Sequence, residues 1–158
     1  VPNSVMWLMS TASRAEGNIK NAFFESGVER ERIIFARRVN IEEHLGRHEF
    51  ADLVLDTKIY NAHTTGSDAL WFGVPIVTRP GKSFASRVGA SLLHACGLDE
   101  LIVQTKKEYV DTAVRYASDE SFRSNIKNIL KVHNSSLPLF NTEKWTRDFE
   151  EILRGLIQ

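Results

Sequence analysis

The sequence has little cysteine and no excess of charge of either sign. Cys96 is the single cysteine among 158 residues, which excludes an internal disulfide framework and a cysteine-rich metal site. Twenty basic residues balance twenty acidic ones, so the overall charge does not favour a nucleic-acid or membrane surface. An anion bound by this chain must therefore be held by local groups, and an intracellular location is expected.

Long apolar runs are also absent. No segment approaches the roughly twenty apolar residues that a membrane span needs, and the amino terminus lacks the pattern of a signal peptide. Hydrophobic residues nevertheless make up 42% of the chain, a value typical of a globular protein. We expect a single domain with its own core over residues 1–158.

Short apolar runs alternate with segments of helical periodicity. Strands are predicted at residues 5–9, 33–36, 53–55 and 75–78, with a polar loop at 10–16, and segment 98–103 is predicted to end in another short strand. Helices are predicted at residues 18–26, 40–50, 67–72, 83–93, 105–117, 118–132 and 141–153. This alternation predicts an α/β fold, with a Rossmann-like parallel sheet and flanking helices. Ligands of such sheets bind at the carboxyl ends of strands, where Asp56 and Thr57 follow the third strand.

A polar loop after the third strand leads into a helix. Thr64 or Thr65 can cap that helix, which leaves N–H groups of its first turn available to an anion. The two hydroxyls and the His63 imidazole can add hydrogen bonds, and Gly66 allows the backbone to approach a diphosphate closely. The residue types in this loop are therefore suited to a phosphate.

Asp68, three residues after Thr65, has two interpretations. A carboxylate one turn inside the helix can accept hydrogen bonds from the paired hydroxyls of a sugar. Alternatively, Thr65 and Asp68 form a capping box that only supports the start of the helix. The residues alone favour the capping box, because capping boxes are far commoner than diphosphate sites.

His44 and Arg47 are three residues apart in the helix predicted at residues 40–50, so they share a face. They form either a solvated charged surface or a basic pair near a nucleotide base or ribose. No metal site is predicted, because His48 and His94 have no partners at metal-ligand spacing.

The segment 61–71, NAHTTGSDALW, closely resembles the H-T-T-G-x-D-x-L-W signature of the O-linked N-acetylglucosamine transferases, glycosyltransferase family 41. Other segments resemble the carboxyl-terminal catalytic half of that family, in order and at nearly its spacing. They include Arg32-Ile33-Ile34-Phe35, Glu42-Glu43-His44 and Ala85-Ser86-Arg87-Val88. The resemblance covers essentially the whole chain.

The resemblance implies the GT-B architecture, in which two Rossmann-like domains face each other across a cleft. It identifies this chain with the nucleotide-sugar domain. Enzymes of the family transfer N-acetylglucosamine from UDP-GlcNAc to serine or threonine hydroxyls of cytosolic and nuclear proteins. They invert the configuration at the anomeric carbon of the sugar. It needs no metal, and an amino-terminal array of tetratricopeptide repeats selects the acceptors.

The resemblance also implies roles for particular residues. The implied uridine pocket consists of Val39, Asn40, Ile41, His44 and Arg47. The implied diphosphate contacts are His63, Thr64 and Thr65, and the implied ribose contact is Asp68. No catalytic residue is implied within this chain, where His63 only supports the leaving diphosphate.

The chain departs from the family pattern in three places. Val39-Asn40-Ile41 replaces the usual A-P-K, so a lysine near the base is missing, and Leu137 is an extra residue. The acceptor-side histidine of the family, and its phosphate-contacting glutamine and lysine, lie before Val1. We therefore expect this chain to lack the acceptor domain and to be inactive alone.

Three alternatives remain open. The related O-fucosyltransferase branch uses GDP-fucose, although it tends to replace the H-T-T-G-x-D pattern with further threonines and a glutamate. A non-catalytic nucleotide-binding or interaction module would keep the fold without turnover. A different enzyme of the GT-B type, such as a sugar epimerase, would act on small molecules.

Overall fold

The computed structural model describes residues 1–132 and 136–157. The chain divides into two compact units, Val1–Gly46 and Arg47–Gln158. Each unit contains a pair of parallel strands and flanking helices. In the described residues, no helix has both the length and the apolar character needed to cross a membrane.

The first unit has a strand–helix–strand–helix order. Its elements are β1 (Met6–Met9), α1 (Ser13–Glu25), β2 (Ile33–Ala36) and α2 (Ile41–Gly46). The two strands are parallel, with Met6 opposite Ile33. Asn40 caps α2 as predicted, because its Oδ1 accepts a hydrogen bond from the Glu43 N–H at 2.8 Å.

Helix α1 begins earlier than the sequence predicted. It starts at Ser13 rather than at residue 18, so the predicted polar loop at 10–16 is wrong in its second half. The Glu16 carboxylate accepts hydrogen bonds from the Ser10 hydroxyl at 2.6 Å and the Thr11 N–H at 2.9 Å. These bonds hold the first turn of α1 against the preceding residues, and they also lower the pKa of Glu16.

The second unit begins with a 3-10 helix, Arg47–Phe50, and its described residues then form two strands, five α-helices and two further 3-10 helices. Its named elements are β3 (Val54–Leu55), α3 (Thr64–Trp71), β4 (Ile76–Val77), α4 (Val88–Ala95), α5 (Lys106–Ser118), α6 (Glu120–Val132) and α7 (Thr142–Leu156). The strands are parallel, with Val54 opposite Ile76. The short strand predicted at the end of segment 98–103 is present as a single parallel bridge between Thr78 and Ile102, which follows the 3-10 helix Asp99–Leu101.

The end of α3 follows the sequence prediction. Gly73 has a φ of 78°, a conformation that favours glycine. Its N–H donates to the Leu70 carbonyl oxygen at 3.1 Å, and the Val74 N–H donates to the Ala69 carbonyl oxygen at 2.8 Å. The chain is thereby turned from α3 directly into β4.

Apolar side chains from β4 and from helices α3 to α6 form the core of the second unit. Members with no solvent exposure are Leu70, Ile76, Val77, Leu93, Leu98, Leu101, Ile126 and Leu130. Leu137, the extra residue relative to the family pattern, is 6% exposed and belongs to the same core. Helix α7 contributes no buried residue.

Candidate functional site

A cleft of about 490 Å³ opens at the carboxyl end of β3. Its lining follows the chain from the strand, through the next loop, into the first turn of α3. The lining residues are Val54, Leu55, Asp56, Thr57, Tyr60, Asn61, Ala62, His63, Thr64 and Thr65. The structure therefore brings three of the implied ligand contacts together, at the sheet edge where α/β folds bind ligands.

The first turn of α3 presents unused hydrogen-bond donors. The amides of Gly66 and Ser67 both donate to the His63 carbonyl oxygen, at 2.9 and 3.1 Å. Within the described residues, the amides of Thr64 and Thr65 have no acceptor. Both residues are exposed and line the cleft. Two N–H groups at the positive end of a helix are thus available to an anion.

The side chains of this turn do not cap the helix as predicted. Helix α3 begins at Thr64, so the N-cap residue is His63, and no side chain there makes a cap hydrogen bond. The predicted caps at Thr64 or Thr65 and the alternative capping box with Asp68 are therefore wrong, because the helix starts too early for them. None of these three side chains hydrogen-bonds to another described residue, which leaves the two hydroxyls and the carboxylate available to a ligand.

Gly66 serves packing rather than ligand approach. It is buried, and a Cβ at this position would lie 2.9 Å from Leu92 Cδ1 and 3.2 Å from Ile76 Cδ1. The expectation that Gly66 lets the backbone approach a diphosphate is wrong, because the space that a side chain would need is core space. The glycine instead allows α3 to lie directly on α4 and β4.

Three contacts hold the His63 ring. It stacks on Tyr60 with ring centroids 4.5 Å apart, and it meets Phe84 edge-on at 6.1 Å. Its Nε2 atom lies 3.3 Å from the carbonyl oxygen of Ala85. A carbonyl oxygen only accepts, so Nε2 carries a proton. In the neutral ring Nδ1 is then an acceptor, and it donates to an anion only when the ring is protonated.

Asp56 lies behind the loop, and both of its carboxylate oxygens accept hydrogen bonds. Oδ1 accepts from the N–H groups of Thr57 at 2.9 Å and Ala62 at 2.7 Å. Oδ2 accepts from the Thr78 hydroxyl at 2.6 Å. The sequence predicted that Asp56 lies at the end of the third strand, but it indicated no function for this side chain. The available signal was a carboxylate directly after a short apolar run.

Two further side chains fix the same loop. Asn61 is buried; it donates to the Thr57 carbonyl oxygen at 2.8 Å and accepts from the Gly89 N–H at 3.3 Å. The Tyr109 hydroxyl donates to the Asp56 carbonyl oxygen at 2.9 Å. Burial, together with the charge of Asp56, raises the pKa of Tyr109 to about 12. The loop is thereby held from both α4 and α5.

The residues implied for a uridine pocket fall on both sides of the boundary between the units. Val39, Asn40, Ile41 and His44 lie in the first unit, whereas Arg47 lies in the second. Helix α2 ends at Gly46, and Arg47 begins the following 3-10 helix. A shared face on one continuous helix, the basis on which His44 and Arg47 were paired, is therefore not present.

The chain matches known sequences over nearly its whole length. Residues 1–149 match the profile described as Glycosyl transferase family 41. A relative from Caenorhabditis elegans, UDP-N-acetylglucosamine--peptide N-acetylglucosaminyltransferase, is 39% identical over 153 residues, which are 97% of this chain and 13% of that protein. The Arabidopsis thaliana protein named Probable UDP-N-acetylglucosamine--peptide N-acetylglucosaminyltransferase SEC is 36% identical over 95% of this chain and 16% of its own length.

A solved structure supports the same relationship. It is a mutant of the O-GlcNAc transferase of Thermobaculum terrenum, with a TM-score of 0.88 and 29% sequence identity over 97% of this chain and 30% of that one. This similarity confirms the predicted fold class, the Rossmann-like nucleotide-sugar domain of a GT-B glycosyltransferase. The chain spans less than a third of each of these three proteins. Its sequence, its fold and the signature at residues 61–71 together show that the chain belongs to glycosyl transferase family 41.

Proposed function

We propose that residues 1–158 form the UDP-binding domain of an inverting protein O-GlcNAc transferase. The enzyme would move N-acetylglucosamine from UDP-GlcNAc to serine or threonine hydroxyls of cytoplasmic or nuclear proteins. The observation that carries the proposal is the pair of unused amides of Thr64 and Thr65 at the cleft. Family membership and the names of the relatives, which are peptide N-acetylglucosaminyltransferases, support the reaction and the donor.

These amides would act on the leaving group. Transfer breaks the bond between the anomeric carbon and the diphosphate, so negative charge grows on the diphosphate in the transition state. The amides and hydroxyls of Thr64 and Thr65, together with the ring of His63, would stabilise that charge. Because these donors can perform the task that a divalent cation performs in other transferases, we propose that no metal is required.

The remaining assignments complete the donor site. Asp68 follows Thr64 by four residues and lies on the same face of α3. The Asp68 carboxylate would accept hydrogen bonds from the ribose hydroxyls. The proposed uridine pocket comprises Val39, Asn40 and Ile41, largely through their backbone, together with His44 and Arg47. We assign no catalytic base to this chain. Activation of the acceptor hydroxyl and selection of acceptors by tetratricopeptide repeats would belong to the rest of the enzyme.

Isothermal titration of the full-length protein with UDP, UDP-GlcNAc and GDP tests the donor site. Thr64→Ala and Thr65→Ala each remove one hydroxyl and should each weaken UDP binding about tenfold, the effect of losing one hydrogen bond to a charged group. Thr146→Ala is a matched control, because Thr146 is an exposed threonine on α7, and it should leave UDP affinity unchanged. Tighter binding of GDP than of UDP would favour the fucosyltransferase alternative.

Transfer of radiolabelled N-acetylglucosamine to protein by the full-length enzyme tests turnover. His63→Ala and Asp68→Asn should both reduce transfer strongly, and a chelator such as EDTA should leave the wild-type rate unchanged. Equal, near-zero transfer by the wild type and both variants would favour a non-catalytic module.

A further inference from the structure

Asp56 connects three parts of the second unit through one carboxylate. It follows β3 directly, and its side chain accepts hydrogen bonds from Thr57 in the loop, from Ala62 and from Thr78 after β4. Ala62 immediately precedes His63, the residue that opens the proposed diphosphate-binding turn. The carboxylate therefore joins the ends of two parallel strands to the start of that turn.

The carboxylate is enclosed tightly. Asp56 is 8% exposed, and a Cβ at Gly89 would lie 2.4 Å from its Oδ2 atom and 2.9 Å from Thr78 Oγ1. The amino-terminal turn of α4 thus lies against the Asp56–Thr78 hydrogen bond. No described lysine, arginine or histidine forms an ion pair with Asp56. The carboxylate is held by neutral donors, so its removal would leave the buried Thr78 hydroxyl and the partly buried N–H groups of Thr57 and Ala62 unpaired.

We propose that Asp56 is a positioning residue for donor binding, an inference that rests on the proposed function. Its bond to the Ala62 N–H orients the peptide that joins Asn61 and Ala62, one residue before His63. The unused amides of Thr64 and Thr65 follow within three residues, so the direction in which they point depends on that peptide. With the carboxylate absent, the loop is free to relax, and the amides lose their alignment on the diphosphate.

Variants of the full-length protein separate positioning from general stability. Asp56→Ala should weaken UDP binding about tenfold or more, raise the KM for UDP-GlcNAc and lower kcat, because the same donors contact the leaving group. Asp56→Asn should bind UDP within about threefold of the wild type. Its amide oxygen can still accept from Thr57 and Ala62, and its NH₂ group can donate to the Thr78 hydroxyl.

Ile126→Ala supplies the control for stability. Ile126 is fully buried in α6 and belongs to the core rather than to the cleft lining. Its truncation should lower the Tm at least as much as Asp56→Ala does. UDP affinity, measured by titration well below that Tm, should nevertheless remain at the wild-type value.

Thr78→Val tests the hydrogen bond to the second oxygen of the Asp56 carboxylate, Oδ2. The substitution removes the hydroxyl that donates to Oδ2, so the carboxylate that accepts from the Ala62 N–H is held less firmly. It should weaken UDP binding about threefold. Added to Asp56→Ala, it should have little further effect, because both substitutions act through one network.

Wild-type UDP affinity in a folded Asp56→Ala variant would overturn the positioning role while leaving the proposed function intact. If Asp56→Ala does not fold, unchanged affinity in Thr78→Val overturns the role, and weakened affinity supports it. Failure of the wild-type protein to bind UDP would overturn the proposed function and this inference together.

Discussion

His63 directs its Nε2 atom at the carbonyl oxygen of Ala85, 3.3 Å away. That contact places the proton of the neutral ring on Nε2, which leaves Nδ1 with a lone pair. Stacking on Tyr60 restrains the ring in this orientation. A second proton is therefore needed before His63 can donate to a diphosphate.

His63→Ala should weaken UDP-GlcNAc binding, because it removes the ring that Tyr60 and the Ala85 carbonyl oxygen hold beside the proposed diphosphate-binding turn. Titration calorimetry of the full-length protein measures the effect. Wild-type affinity in the variant would exclude a contact between this ring and the donor.

Gly66→Ala should lower the free energy of unfolding by about 1–3 kcal/mol, the usual cost of overpacking a core. The new Cβ would lie 2.9 Å from Leu92 Cδ1 and 3.2 Å from Ala62 Cβ. Gly17→Ala in α1 is the matched control, because a Cβ there has no atom within 4 Å. It should stabilise the chain by about 0.5–1 kcal/mol through helix propensity. Urea unfolding of the 158-residue chain, monitored by circular dichroism, measures the effect of each substitution. Equal effects of Gly66→Ala and Gly17→Ala would contradict the packing role of Gly66.

Tyr116 and Tyr109 should respond oppositely to loss of their hydroxyls. The Tyr116 hydroxyl is buried and has no hydrogen-bond partner among the described residues, whereas that of Tyr109 donates to the backbone carbonyl oxygen of Asp56. Tyr116→Phe should keep the free energy of unfolding or raise it by up to about 1 kcal/mol, and Tyr109→Phe should lower it by about 1 kcal/mol. Urea unfolding measures both. A clear loss of stability in Tyr116→Phe would indicate a partner for that hydroxyl.

The second unit should lose stability in alkaline solution. Burial raises the pKa of the Cys96 thiol from 9.0 to about 11, and burial, aided by the charge of Asp52, raises that of Tyr116 from 10.0 to about 12. The folded state therefore favours the neutral forms. Their contribution is complete below the ordinary pKa values and is lost as the pH rises towards 11 and 12.

Urea midpoints measured at increasing pH above about 8 test this expectation. Tyr116→Phe should flatten the decline, because one titrating group is removed. An identical decline in the variant would assign the loss to other groups.

The order of strands and helices was predictable because its signals are local. Apolar periodicity located seven helices and the first four strands, and Gly73 marked the end of α3. The early start of α1 was not predictable from periodicity, because it depends on the hydrogen bonds that the Glu16 carboxylate accepts from Ser10 and Thr11. The last predicted strand is limited to one bridge at Ile102, whose partner Thr78 lies far away in the sequence.

The sequence alone determined the family, the α/β class and the position of the polar turn at His63, Thr64 and Thr65. Motifs and periodicity depend only on residues that are close together in the chain, so both can be recognised without a structure. Only the tertiary structure decided that Gly66 faces the core, that His63 bonds the Ala85 carbonyl oxygen, and that Asp56 joins the strand ends to Ala62. These relationships depend on segments that are distant in the chain and meet only when helices pack on strands. Residue identity therefore specified which donors are present, and packing determined which of them remain available to a ligand.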